Sequence, residues 1–115
     1  MKNKELILAH KQGLEAEELA IQHFIQRGYK LVQQRIKTPF AEVDALLRSA
    51  KGTWLMIEVK TLSQSEMIEA RLASAQKNRL ARAHQYLQQK YPHLEFLVVF
   101  VHQQKVQTFS FVDFL

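Results

Sequence analysis

EVDALLRSAKGTWLMIEVK, residues 42–60, reads as two strands joined by a short polar turn. Four charged residues interrupt its apolar pattern: Glu42, Asp44, Glu58 and Lys60. Successive side chains of a strand alternate sides, so residues two apart share a face of the sheet. A five-residue loop, Ser49 to Thr53, pairs Arg48 with Trp54, Asp44 with Glu58 and Glu42 with Lys60. A three-residue loop moves the pairing by two and sets Glu42 opposite Glu58. Either odd loop gathers the four charges on one face, whereas an even loop separates Asp44 from Glu58.

Like charges opposed across an antiparallel pair repel, and burial makes ionised carboxylates costlier still. One of the acids takes up a proton, or a cation sits between them. Magnesium and manganese prefer carboxylate oxygens, a backbone carbonyl and water. A lysine two residues after the second acid, on the same face, can orient an attacking water or stabilise charge on a phosphate. Metal-assisted phosphodiester hydrolysis needs this set. A plain cross-strand ion pair between Glu42 and Lys60 fits the same register.

The chain has 115 residues, enough for one domain spanning 1–115 with a single core. Its 47% hydrophobic and 23% charged residues are those of an ordinary soluble globular protein. Cysteine is absent, which excludes a disulfide framework and thiolate metal sites and fits a reducing compartment. The apolar run near the N-terminus, Leu6 to Ala9, is too short for a signal-peptide core. No stretch approaches the roughly 20 apolar residues of a membrane span, so a cytoplasmic protein is expected. A net charge of +5 and a pI near 9.6 favour polyanion partners.

Outside the hairpin, residues 4–27 read as a helix closed by Gly28, and Tyr29–Arg35 as a first strand. Thr38-Pro39-Phe40 forms a turn before the hairpin strands, placed near 41–48 and 53–61. A helical pattern runs from about Glu66 to Lys90 and stops at the Tyr91-Pro92-His93 segment. Residues 94–101 are almost continuously apolar, the mark of a strand buried on both faces, and 106–112 alternate as a last strand. The order α-β-β-β-α-β-β predicts an α/β fold: a mixed sheet with helices packed on it, the second helix crossing from the third strand to the fourth.

On the first helix Ile7, Leu14, Ile21, Phe24 and Ile25 form an apolar stripe that also carries His10 and Glu17. A carboxylate on a core-facing stripe needs a partner: Lys60, or the acidic cluster itself. His10 reads as a boundary histidine. On the second helix Leu72, Gln76, Leu80, Ala83 and Leu87 form the inward stripe. Lys77 and Arg79 flank it, Arg71 and Arg82 point outward, and Lys77 is the best placed to meet a phosphate. Trp54 and Tyr86 have rings able to stack bases, but core packing is expected of both.

Taken in order, KQGLEAEELAIQHFIQRGYKLVQQR, AEVDALL, WLMIEVKT and ASAQKNRLARAHQYL resemble the YraN-like bacterial family, over roughly residues 12–101. That family belongs with the PD-(D/E)xK restriction-endonuclease-like nucleases and is similar to archaeal Holliday-junction resolvases. The resemblance implies an αβββαβ core and Mg²⁺- or Mn²⁺-dependent hydrolysis of DNA, linear or branched. Asp44 and Glu58 take the place of the metal ligands, Lys60 of the catalytic lysine, and Glu17 of the helix glutamate near the metal. Glu42 matches a supporting acid, and Lys77 a basic position of the later helix. The resemblance also implies pairing into a homodimer. Ala16 and Ala41 stand where the family carries glycine, and Leu62 where it carries a basic residue. A nucleic-acid-binding module that has kept the fold without the chemistry is the alternative.

Overall fold

A computed structural model describes residues 2–62 and 73–115. Helix α1 (Lys2–Ile25) leads into strands β1 (Tyr29–Lys37), β2 (Glu42–Ser49) and β3 (Trp54–Thr61). Helix α2 (Ser74–Gln88) then precedes β4 (Glu95–His102) and β5 (Lys105–Ser110), and a short 3-10 turn (Phe111–Phe114) follows. The five strands form one sheet in the order β1-β2-β3-β4-β5. Among the described strands only the β3–β4 pair is parallel, as its connection through a helix allows. This is the expected mixed sheet and the expected element order.

The hairpin register is that of the five-residue loop: Arg48 pairs with Trp54, Leu47 with Leu55, Leu46 with Met56 and Ala45 with Ile57. Ser49 fixes the loop: its N–H donates to the Thr53 carbonyl, its hydroxyl accepts the Thr53 N–H and its carbonyl accepts the Gly52 N–H, each at 2.9 Å. Gly52 supplies the positive φ of 90° that closes the turn.

Apolar side chains from the two faces of the sheet make two core layers. On the α2 side Leu80, Ala83 and Leu87 meet Leu46, Met56, Val98 and Phe100. On the α1 side Ala16, Ala20, Ile21 and Phe24 meet Ala45, Leu47, Leu55, Ile57, Val99 and Val101. β4 contributes to both layers, as its continuous apolar run requires. Burying each large side chain contributes about 1.5–3 kcal/mol, so the central three strands anchor the fold.

Three expectations are corrected. The stripe on α1 holds only at Ile21 and Phe24, which are buried, while Ile7, Leu14 and Ile25 are 69%, 38% and 39% exposed. The helix instead approaches the sheet over Ala16 and Ala20, whose small side chains allow close contact, and this rotates the buried face away from Leu14. Tyr86 is 45% exposed rather than part of the core. The last strand ends at Ser110, because Phe111 turns back to stack on Phe96 with ring centroids 4.4 Å apart. Trp54 does pack at the core margin, with Tyr91 beside it and the Arg48 guanidinium over its ring. Arg71, Leu72 and the start expected for the second helix lie outside the described residues.

Candidate active site

The pairing of β2 with β3 ends at Ala45 and Ile57, although β2 begins at Glu42 and β3 runs on to Thr61. The two strands therefore part just where the acids begin. Counting one step on, Asp44 stands across from Glu58. Its carboxylate reaches into the fork, where Oδ2 accepts the Val59 backbone N–H at 2.6 Å. A side chain thus satisfies a donor that a ladder carbonyl would otherwise take.

Strand alternation breaks at this point. Ala45 and Leu47 face α1, but Val43, which a regular strand would place beside them, packs in the α2-side layer. The neighbouring strand is irregular here too. β1 pairs Gln34 with Ala45 and Ile36 with Val43, and Arg35 between them has a φ of 49°. A left-handed backbone at a residue with a Cβ costs roughly 1–2 kcal/mol and marks a local constraint. The expectation that all four charges share one regular face is corrected accordingly. Asp44 sits in the fork between the faces. Glu42, Asp44, Glu17 and Arg35 line an open cleft of about 240 Å³ beside α1, bordered by the exposed His10, whereas Glu58 and Lys60 follow Met56 on the α2 side.

Glu58 is buried at 7% exposure. Its Oε2 meets Lys60 Nζ at 3.4 Å, while Oε1 is buried without a hydrogen-bond partner among the described residues. Burial first, and the adjacent Asp44 charge second, push the Glu58 carboxyl up to about 8; Lys60 opposes them. Asp44 is also raised by burial, with the Val59 N–H acting against the shift. Glu17 pairs with Arg35 at 3.2 Å, not with Lys60, and its carboxyl is raised by burial and then by Asp44. The acids thus form a chain, Glu17 to Asp44 to Glu58, with one cation at each end.

Arg35 is the residue that sequence reading missed. It falls at the end of the expected first strand, and neither its conformation nor its partner carries a sequence mark. Lys77 is half-buried at the start of α2, while Arg79 and Arg82 are exposed along it.

The profile of the uncharacterised protein family UPF0102 matches residues 16–101. The chain belongs to UPF0102. A UPF0102 protein of Parvibaculum lavamentivorans is 34% identical over 87 residues, 76% of this chain and 65% of that protein. One from Shewanella sediminis is 32% identical over 91 residues, covering 77% of this chain and 76% of its own. Several UPF0102 relatives, that of P. lavamentivorans included, are matched over less than two thirds of their length. Among solved structures, Pyrococcus furiosus SfsA in complex with Ca²⁺ aligns with 89% of this chain and 63% of its own, at TM-score 0.48 and 11% identity. An EndoMS complex with double-stranded DNA aligns with 62% of this chain and 27% of its own, at TM-score 0.44 and 18% identity.

The donor set of this UPF0102 chain suits a hard divalent cation in one respect and falls short in another. Two carboxyls of raised proton affinity lie together, one with an orphaned buried oxygen. That is the one or two carboxylates with which magnesium is commonly held, the remaining positions going to water and phosphate. Among the described residues, however, no three histidine, aspartate or glutamate side chains converge as a metal-binding group. Glu17, beside Asp44 in the cleft, is engaged by Arg35. Among the described residues, no helix is long and apolar enough to cross a membrane.

Proposed function

We propose that this UPF0102 chain is a Mg²⁺- or Mn²⁺-dependent DNA endonuclease of the PD-(D/E)xK type, acting in the cytoplasm. The observation that carries the reading is the Asp44–Glu58 pair at the β2–β3 fork with Lys60 Nζ 3.4 Å from Glu58. Asp44 and Glu58 would hold the cation, which supplies Lewis-acid stabilisation of charge on the phosphate.

The remaining work falls to the chain's own groups. Lys60, tethered by Glu58 and only 17% exposed at its side chain, presents its ammonium group at a fixed point of the fork. There it orients the attacking water and offsets negative charge as the water oxygen bonds to phosphorus and the phosphorus–oxygen bond to the leaving group breaks. Asp44 is oriented by the Val59 N–H and needs no rearrangement to present its second oxygen. Glu42, exposed at the cleft, adds negative potential beside the pair. Lys77, Arg79 and Arg82 provide positive charge along α2 for the DNA backbone.

The test is cleavage of single-stranded, duplex and branched DNA with Mg²⁺ or Mn²⁺, beside Asp44→Ala and Lys60→Ala. Activity lost in both supports the reading; activity unchanged in both ends it. A second reading, a DNA-binding module without turnover, draws on the Lys60 contact that already offsets Glu58 and on the lack, among the described residues, of a third converging acid. Such a module binds DNA with steep salt dependence and cleaves none of the three substrates. The pairing into dimers that the resemblance implies is read by sedimentation.

A further inference from the structure

Phe40 and Tyr86 are large rings left in solvent, 39% and 45% exposed, with centroids 6.3 Å apart in an edge-to-face arrangement. Neither is there for want of order. The turn carrying Phe40 is locked by Thr38, whose hydroxyl donates to the Ala41 carbonyl at 2.6 Å and accepts the Phe40 and Ala41 N–H groups. Pro39 stiffens it further. On α2, Arg82, Tyr86 and Gln89 follow at spacings of four and three and so share a face. Together with Gln85 these residues line an open cleft of about 400 Å³.

We propose that this cleft takes an unpaired nucleobase of a single-stranded or branched DNA, stacked against Phe40 and Tyr86. A purely apolar peptide would leave Arg82 and two glutamines facing it without partners. A base has a π-face for the rings, edge atoms for the amides, and a neighbouring phosphate for the guanidinium. Charge agrees: none of the described lining residues is acidic, and from Ala70 to Leu94 the sequence has no aspartate or glutamate but five lysines and arginines. The inference rests on the DNA-directed reading above and extends it to the substrate's form. Phe40 precedes Asp44 by four residues, so their Cα atoms are no more than about 15 Å apart.

The experiment measures binding of labelled oligo-deoxythymidine and of a blunt duplex of equal length by fluorescence anisotropy, in EDTA, for the full chain. Phe40→Ala and Tyr86→Ala are each expected to weaken oligo-deoxythymidine binding by about 5- to 150-fold. Duplex binding and the salt slope should stay as they are, and Tyr86→Trp should restore affinity. Equal binding of oligo-deoxythymidine by the unmodified protein and both alanine variants overturns the proposal. So does equal weakening toward both DNAs, failure of the unmodified protein to bind the oligonucleotide, or burial of both rings in a dimer that sedimentation shows unchanged by the DNA. Because no cleavage is read, a protein that never cuts DNA leaves a positive result standing. One that cuts DNA yet binds equally after both substitutions overturns this inference alone.

Discussion

The Asp44 carboxylate accepts the Val59 N–H at 2.6 Å, one step beyond the last paired rung of β2 and β3. The same side chain thus holds the fork together and presents an oxygen within it. Removing it should have two separable effects. Asp44→Ala leaves the Val59 N–H without its acceptor and should cost roughly 1–3 kcal/mol of stability in urea denaturation. Asp44→Asn retains an acceptor oxygen, so it should cost less. Both should abolish the heat of Mn²⁺ binding in calorimetric titration. Binding heat unchanged in Asp44→Asn would remove this residue from the metal site.

Stability should depend on pH through Glu58. The unfolded carboxyl ionises near 4.5, whereas the folded one keeps its proton to about 8 because of burial and the Asp44 charge. Between these values the folded state binds more protons than the unfolded state. The stabilisation is therefore full below 4.5, declines as pH rises, and is lost above about 8. The decline is at most about 1.4 kcal/mol per pH unit. Thermal melting in EDTA should show this fall, and Glu58→Gln should flatten it. A curve of the same slope in Glu58→Gln would refute the assignment.

Lys60→Ala removes the only cation within ion-pair distance of Glu58 among the described residues. Cleavage should fall by about 10²-fold or more, the scale for losing a preorganised charge stabiliser. Lys60→Arg should recover little of it, because the larger planar head does not fit the same partly buried position. Rates measured under single-turnover conditions distinguish a chemical defect from a binding one.

At Arg35 two effects oppose each other. Arg35→Gly relieves a φ of 49° but loses the ion pair with Glu17; Arg35→Ala loses the pair and keeps the strain. The guanidinium side is 48% exposed, so the pair itself is screened and worth at most about 1 kcal/mol. Glycine should therefore be the more stable variant by roughly 1 kcal/mol in urea denaturation. Equal stabilities would mean that the left-handed backbone carries no strain.

Lys77→Ala should weaken DNA binding alike for all sequences and lower the slope of log affinity against log salt by about 1. Titrations at three salt concentrations measure it.

Much of this protein can be read locally. Two alternating segments around a polar turn dictate a hairpin, and its loop length sets Arg48 opposite Trp54. The unbroken apolar run of β4 requires cover on both faces, and a helix between β3 and β4 makes their pairing parallel. Such features follow from periodicity and chain connectivity, which each segment carries in its own residues. The fork does not. That Val43 faces one layer and Ala45 the other, that Arg35 turns left-handed across from Asp44, and that Glu17 meets Arg35 instead of Lys60 depend on how strands splay and at what angle α1 crosses them. Those angles come from the summed packing of both core layers, in which no single stretch holds a majority. Acids adjacent in the folded molecule were thus visible as a set, while the way they divide between proton, lysine and arginine was settled only by assembly.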